Sequence, residues 1–250
     1  MSGIESQVRK AHRLLSVDAM RGVAIALMVI FHFCFDLAHF GFARFDFYND
    51  PFWLNFRTFI LSLFLLLAGL SLVLATRRGI NSRRFLARLL RVAGGAALVS
   101  VATWWIFGER FVFFGVLHFI VVASLLGLLF IRKPVVALAL GIALLVVGNR
   151  WQFPWFDQAG WRWIGLMTHK PATEDYVPLI PWFGVSLIGM ALGNLLLRNG
   201  RLETMNGWLP ADNAPVRLLA FSGRHSLLIY LIHQPLLFGL LNLYVLAAGR

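Results

Sequence analysis

The sequence predicts an all-α fold, a polytopic transmembrane helix bundle of about seven helices with room for an eighth, its N-terminus cytoplasmic. Three observations predict it. Hydrophobic residues make up 59% of the 250 residues, against roughly 45–50% in a soluble domain, and the mean hydropathy is +0.75. Seven apolar stretches approach the ~20 residues that a helix needs to cross ~30 Å of hydrocarbon. The basic residues divide unequally between alternate loops. Charged residues at 14% exclude an ordinary solvated surface, intrinsic disorder and a disulfide scaffold. The single cysteine, Cys34, permits no internal disulfide and no cysteine-based zinc site.

The apolar stretches cover about 20–40, 51–75, 85–107, 111–131, 134–147, 177–197 and 226–248. The fifth is short, ending before Gly148. Laid out as alternating crossings, one side collects Arg9, Lys10, Arg13, Arg21, Arg77, Arg78, Arg83, Arg84, Arg88, Arg91, Arg132, Lys133, Arg198, Arg201, Arg217 and Arg224. The other side holds Arg44, Arg57, Arg110, Arg150, Arg162, Lys170 and Arg250. The positive side faces the cytoplasm, which gives an odd number of crossings and an external C-terminus. The net charge of +12 therefore belongs to membrane orientation, and no nucleic-acid partner is expected. The first apolar run is too long for a secretory signal and no small-x-small cleavage site follows, so it reads as an uncleaved helix. The whole chain, 1–250, reads as one domain. An eighth short or re-entrant helix would fit the long external loop, whose Trp151, Trp155, Trp161 and Trp163 form an interfacial belt or a lid.

Ionisable side chains inside such segments are costly unless they face protein or water, which makes each a functional candidate. In the first helix His32, Asp36 and His39 are spaced i, i+4 and i+7 and share one face. Asp18 falls near the same stripe, four turns earlier, with Arg21 placed to pair with it. Counting from the outer helix ends puts His32 ~12 Å deep, His118 ~10 Å and Arg57 ~9 Å, the common depth that a shared pocket requires. A carboxylate one turn from an imidazole can orient it as a general base; a membrane histidine can equally serve as an interhelical hydrogen-bonding group. His39 reads as interface or site, and Arg57 as a counter-ion for Asp36 or a site residue. A helical metal site on His32, Asp36 and His39, or a haem held between His32 and His118, are further alternatives.

In the last helix His233 and Gln234 sit ~13 Å from the cytoplasmic side, just before Pro235. They read as polar support for a kink or as the lining of a substrate tunnel. Asp175, Pro178, Pro181 and Trp182 mark a broken start to the sixth segment. Gly189-x-x-x-Gly193 and Gly94-Gly95-Ala96-Ala97 are close-packing surfaces. The run Arg77, Arg78, Arg83, Arg84, Arg88, Arg91 orients the protein and binds lipid phosphate, or receives the phosphates of a cytoplasmic nucleotide.

These residues, in this order, resemble a known family. The opening RLLSVDAMRGVAIALMV (Arg13 to Val29) is similar to that of the heparan-alpha-glucosaminide N-acetyltransferase catalytic-domain family, within the wider transmembrane acyltransferase group. Four later blocks, Phe31 to Leu37 (FHFCFDL), Phe113 to His118 (FFGVLH), Val177 to Gly184 (VPLIPWFG) and Ser226 to Pro235 (SLLIYLIHQP), resemble its short prokaryotic members. The resemblance implies an integral membrane enzyme that moves an acyl group, typically acetyl, from cytoplasmic acyl-CoA to a sugar or similar acceptor. In the heparan enzyme an asparagine and, shortly after it, a histidine line the reaction centre. The asparagine corresponds to His32; the histidine has no gap-free counterpart, His39 being nearest.

The combined expectation is acyl transfer from acetyl-CoA or another acyl-CoA to an amine or hydroxyl of a glycan or lipid-linked saccharide, in the bacterial inner membrane. His32 would be the base, oriented by Asp36, with His118 or Arg57 at the oxyanion. Arg77, Arg78, Arg83, Arg84, His233 and Gln234 would bind the acyl-CoA, and no metal is expected. Membrane lipid and the saccharide are the expected partners, with room for a homo-oligomer. The rival readings are a proton-coupled transporter and a haem-bearing membrane subunit built on the same histidine and aspartate stripe.

Overall fold

A computed structural model describes residues 14–77, 79–201 and 213–248. These residues form eight α-helices: α1 (Leu15–His39), α2 (Pro51–Thr76), α3 (Ser82–Phe107), α4 (Val116–Gly127), α5 (Pro134–Arg150), α6 (Leu179–Arg198), α7 (Ala214–Arg224) and α8 (Ser226–Ala247). Helices α1, α2, α3, α6 and α8 are long and apolar enough to cross a membrane. The remaining apolar helices are shorter, α4 being extended by a 3-10 turn at Leu128–Phe130. The protein is an integral membrane helix bundle. Arg9, Lys10, Arg13, Arg78 and Arg250 lie outside the described residues.

Local chemistry sets several helix starts. Asp50 accepts from the Phe52 amide (2.8 Å) ahead of Pro51 at the first helical position, and Asn81 accepts from Arg84 N–H (3.0 Å). Both satisfy amides that a helix leaves unpaired.

The chain gathers into two compact units, Met1–Phe47 with Leu196–Arg250, and Tyr48–Leu195. In the first, α7 lies against the start of α1. A Cβ on Gly22 would strike the Leu219 carbonyl, and one on Gly223 the Asp18 carbonyl, so both glycines are required for backbones to touch. Arg21 donates to the buried Asp18 at 3.0 Å, as the i, i+3 spacing predicts. Helix α7 is the eighth helix, and it precedes the last segment instead of occupying the external loop. Further along α1, α8 meets it through the His32–His233 and His39–Phe238 ring contacts.

In the second unit α2 and α6 form the packed centre, with α6 contributing Gly189 against Leu66 and Gly193 against Leu70. Ser186 donates to the Leu65 carbonyl at 3.3 Å. The predicted Gly189-x-x-x-Gly193 surface is thus a close helix crossing. In the other small-residue cluster Gly95 and Ala96 are buried, while Gly94 opens onto free space.

The fourth segment starts later than its apolar run suggests. A 3-10 turn at Gly108–Arg110 and the non-helical residues 111–115 zip to 173–177: Glu174 N–H donates to the Arg110 carbonyl (3.2 Å), Val177 N–H to the Phe114 carbonyl (3.1 Å), and Thr173 Oγ1 to the Phe111 carbonyl (2.7 Å). The Arg110–Glu174 ion pair closes the end of the zipper. Helix α4 can begin only at Val116, where the Asp175 carboxylate accepts the Val116 N–H at 2.9 Å and supplies the cap. Helix α6 has the broken start that its prolines announce, with Ile180 in extended conformation.

Candidate active site

The first unit holds His32, Asp36, His39, His233 and Gln234. It brings four of them together in two cross-helix pairs. His233 is the only buried residue of α8. Its Nδ1 stands 2.7 Å from the Tyr230 carbonyl, so it carries the proton, and Nε2 keeps a lone pair. His32 Nδ1 faces the Met28 carbonyl at 3.0 Å and His233 Nε2 at 3.1 Å. Both neighbours are acceptors, so His32 Nδ1 is the donor to both. The remaining nitrogen, His32 Nε2, makes no hydrogen bond within the described residues and holds the lone pair of a neutral imidazole.

Asp36 is fully buried. Its Oδ1 accepts from Gln234 Nε2 at 2.8 Å. Asp36 Oδ2 and Gln234 Oε1, both sealed from solvent, have no hydrogen-bond partner among the described residues. Such groups cost about 1–3 kcal/mol each when left unsatisfied. Asp36 therefore does not orient His32; His233 does, and Asp36 and Gln234 hold each other. His39, exposed at the end of α1, meets the rings of Phe40 and Phe238. The three groups of the stripe thus have three different partners, and no cluster of three or more His, Cys, Asp or Glu forms a metal site among the described residues.

The second unit holds Arg57, Arg77, Arg83, Arg84 and His118. Gly115 N–H donates to His118 Nδ1 at 3.3 Å, and His118 Nε2 is 3.1 Å from Ser100 Oγ. Since Nδ1 accepts, Nε2 donates to the hydroxyl, and Ser100 passes its own proton to the Val112 carbonyl at 2.6 Å. Ser100, His118 and Asp175 therefore do not constitute a nucleophilic triad, because the serine proton points away from the imidazole. Both nitrogens of His118 are engaged, which also leaves none to ligate a haem iron.

Arg57 is exposed and repels Lys170: burial, then the Arg57 charge, holds the Lys170 ammonium below its ordinary range, against Asp175 and Glu174. Arg77, Arg83 and Arg84 are exposed at the end of α2 and the start of α3. Arg78 lies outside the described residues.

In the external loop Trp151, Trp155 and Trp161 are exposed while Trp163 packs on Phe114. Tyr176 donates to the Arg162 carbonyl at 2.6 Å, and burial pushes its phenol up to about 12. Hydrogen bonds from Thr168 hold the Asp157 carboxyl below the usual range.

Sequence reasoning missed Ser100 as the partner of His118 and the pairing of His233 with His32. Ser100 and Thr103 inside an apolar helix were the available signal for the first. For the second, the signal was two histidines in helices at opposite ends of the sequence, with nothing local to couple them.

A family model described as heparan-alpha-glucosaminide N-acetyltransferase, catalytic, matches residues 13–235. The chain belongs to this family. Membership makes it a membrane transferase of the acetyltransferase kind, for which acetyl-CoA is the general donor. Comparison with curated proteins and with solved structures gives no match.

Proposed function

We propose that this protein transfers an acyl group, acetyl in the first instance, from acyl-CoA to an amine or hydroxyl of a glycan or lipid-linked saccharide at the bacterial inner membrane. The observation that carries the reading is the orientation of His32: one ring nitrogen is held by Met28 and His233, and the other is left with an unused lone pair. That is the arrangement a general base needs, in a residue type whose ordinary pKa of ~6.5 suits neutral pH. His32 Nε2 takes the proton of the acceptor N–H or O–H as the acceptor atom bonds to the thioester carbonyl carbon. The carbon–sulfur bond then breaks, and the departing CoA thiolate recovers the proton from His32. Atoms and charge balance with no acyl-enzyme.

The buried Asp36–Gln234 hydrogen bond joins α1 to α8 one turn beyond His32 and supports the helix that carries the base. Of the two residues expected at the oxyanion, both nitrogens of His118 are engaged within the described residues, which leaves the exposed Arg57 as the candidate. Arg77, Arg83 and Arg84, with Arg78, suit the phosphates of acyl-CoA through charge-assisted hydrogen bonds. His39 takes a supporting role at the mouth of α1.

The test compares cell-envelope saccharides with and without the protein by mass spectrometry, and with His32→Ala. The expected result is an acetyl-sized mass difference that appears with the wild type alone. Equal acetylation by His32→Ala overturns the role of His32, and no acyl difference in any saccharide or lipid fraction overturns the reaction.

A further inference from the structure

At the end of the second unit opposite its carboxylates is a cleft of about 180 Å³ that the acyl-transfer reading does not use. One wall is Thr76, Gly79 and Ile80, after α2; the other is Leu128, Arg132 and Lys133, before α5. Both walls are fixed by the backbone. Gly79, at φ +104°, turns the chain after α2 with its N–H on the Thr76 carbonyl at 2.9 Å, a conformation that favours glycine. Asn194 from α6 donates to the Ile131 carbonyl at 2.9 Å and holds the segment that carries the two cations.

The cleft is built for an anion. Among the described residues neither Arg132 nor Lys133 has an acidic partner, and the carboxylates of residues 48–195, Asp50, Glu109, Asp157, Glu174 and Asp175, all belong to the other set of loops. Helix α5 starts at Pro134, directly after the two cations, with no side-chain cap hydrogen bond on its first turn. The surroundings are apolar: Leu129 is 65% exposed, Ile80 50% and Val135 77%.

We infer that this cleft binds the phosphate of an anionic phospholipid, with the acyl chains lying outside over Leu129, Ile80 and Val135. The size favours a headgroup, since pockets that enclose a small-molecule ligand run to roughly 300–1,000 Å³, more than this one offers a coenzyme. Basic pockets between membrane helices on the cytoplasmic side attract such lipids, and the charge layout of the loops puts this end there. The inference is independent of the acyl-transfer reading, because its readout is lipid retention.

The experiment is native mass spectrometry of the full chain released from detergent, with phosphatidylglycerol or phosphatidylcholine added, for the wild type, R132Q/K133Q and R217Q/R224Q. The last removes the same charge from α7, whose residues do not line the cleft. The expected result is preferential retention of phosphatidylglycerol by the wild type and by R217Q/R224Q, and a roughly tenfold or greater loss in R132Q/K133Q, in keeping with the attraction of each cation for an anionic headgroup. Equal retention of the two lipids by the wild type, undiminished retention by R132Q/K133Q, or an equal loss in both variants overturns the site. So does free CoA, added as competitor, if it displaces the lipid and is itself retained only when Arg132 and Lys133 are present: the cleft is then a coenzyme site. Asn194→Ala, which frees the Ile131 carbonyl while keeping both charges, is expected to weaken retention by a smaller factor; no change shows that charge alone, without a built cleft, holds the lipid.

Discussion

His32 and His118 are both histidines in apolar helices, both tied to a polar partner on another helix, and they differ in one nitrogen. In the first unit His32 spends Nδ1 on two acceptors and keeps Nε2 unspent. In the second unit His118 accepts at Nδ1 and donates at Nε2, so nothing remains for chemistry. The same side chain can thus keep a lone pair for chemistry or engage both nitrogens in structure, and the hydrogen bonds of its ring decide which. The neighbours repeat the contrast: Asp36 and Gln234 retain two unmet acceptors, whereas Asp175 caps α4.

The contrast breaks first at turnover. His32→Ala is expected to lower CoA release by ~10²–10⁴-fold, the usual contribution of a positioned base, with membrane levels unchanged. His118→Ala is expected to leave turnover per folded molecule nearly intact and to destabilise the fold by about 1–3 kcal/mol, because Ser100 and the Gly115 amide lose their partner. Thermal unfolding in detergent beside the CoA assay measures both; a reversal of the two outcomes would sink the distinction.

A smaller effect belongs to His233, a positioning residue. His233→Phe keeps a ring in the contact but removes the acceptor for His32 Nδ1–H. The expected change is a fall in kcat with little change in KM and an altered pH profile, with partial recovery in His233→Gln, whose amide oxygen can accept. A purely structural role would move stability and leave the pH profile alone.

In the first unit Gly22→Ala is expected to cost about 1–3 kcal/mol or more through overpacking against the Leu219 backbone, read as a lowered unfolding temperature. The smallest effect lies in the external loop of the second unit. The Asp157 carboxyl is depressed by Thr168, so its contribution is present above the ordinary carboxylate range and disappears as pH falls through its lowered value. Amide protection across 157–168, taken relative to the intrinsic exchange rate at each pH, is expected to fall in acid for the wild type, and to be low and insensitive to pH in this range for Asp157→Asn.

Much of the fold was legible because crossing a bilayer is a length requirement, and α1, α2, α3, α6 and α8 answer it with long apolar runs. Helix α7 was not, since Arg217 and Arg224 dilute its eleven residues below any spanning threshold; its cue was the Gly22 and Gly223 pair, meaningful only once the two backbones are seen to touch. The start of α4 was hidden because an apolar run reads alike whether helical or extended, and the cap at Val116 comes from Asp175, distant in sequence. In the candidate site, helical periodicity placed His32 and Asp36 on one face correctly. It could not assign their partners, because a spacing of four residues guarantees proximity without guaranteeing that two polar groups choose each other. His233 and Gln234, nearly the length of the chain away, made the better hydrogen bonds.

The most direct test is the tautomer of His32, read by nitrogen-15 magnetic resonance of the histidine-labelled full chain in lipid at neutral pH, with His32→Gln to assign the signal. The account predicts a proton on Nδ1, a bare Nε2, and a shift of the Nδ1 signal in His233→Phe. A proton found on Nε2, with Nδ1 bare and indifferent to His233, would contradict it.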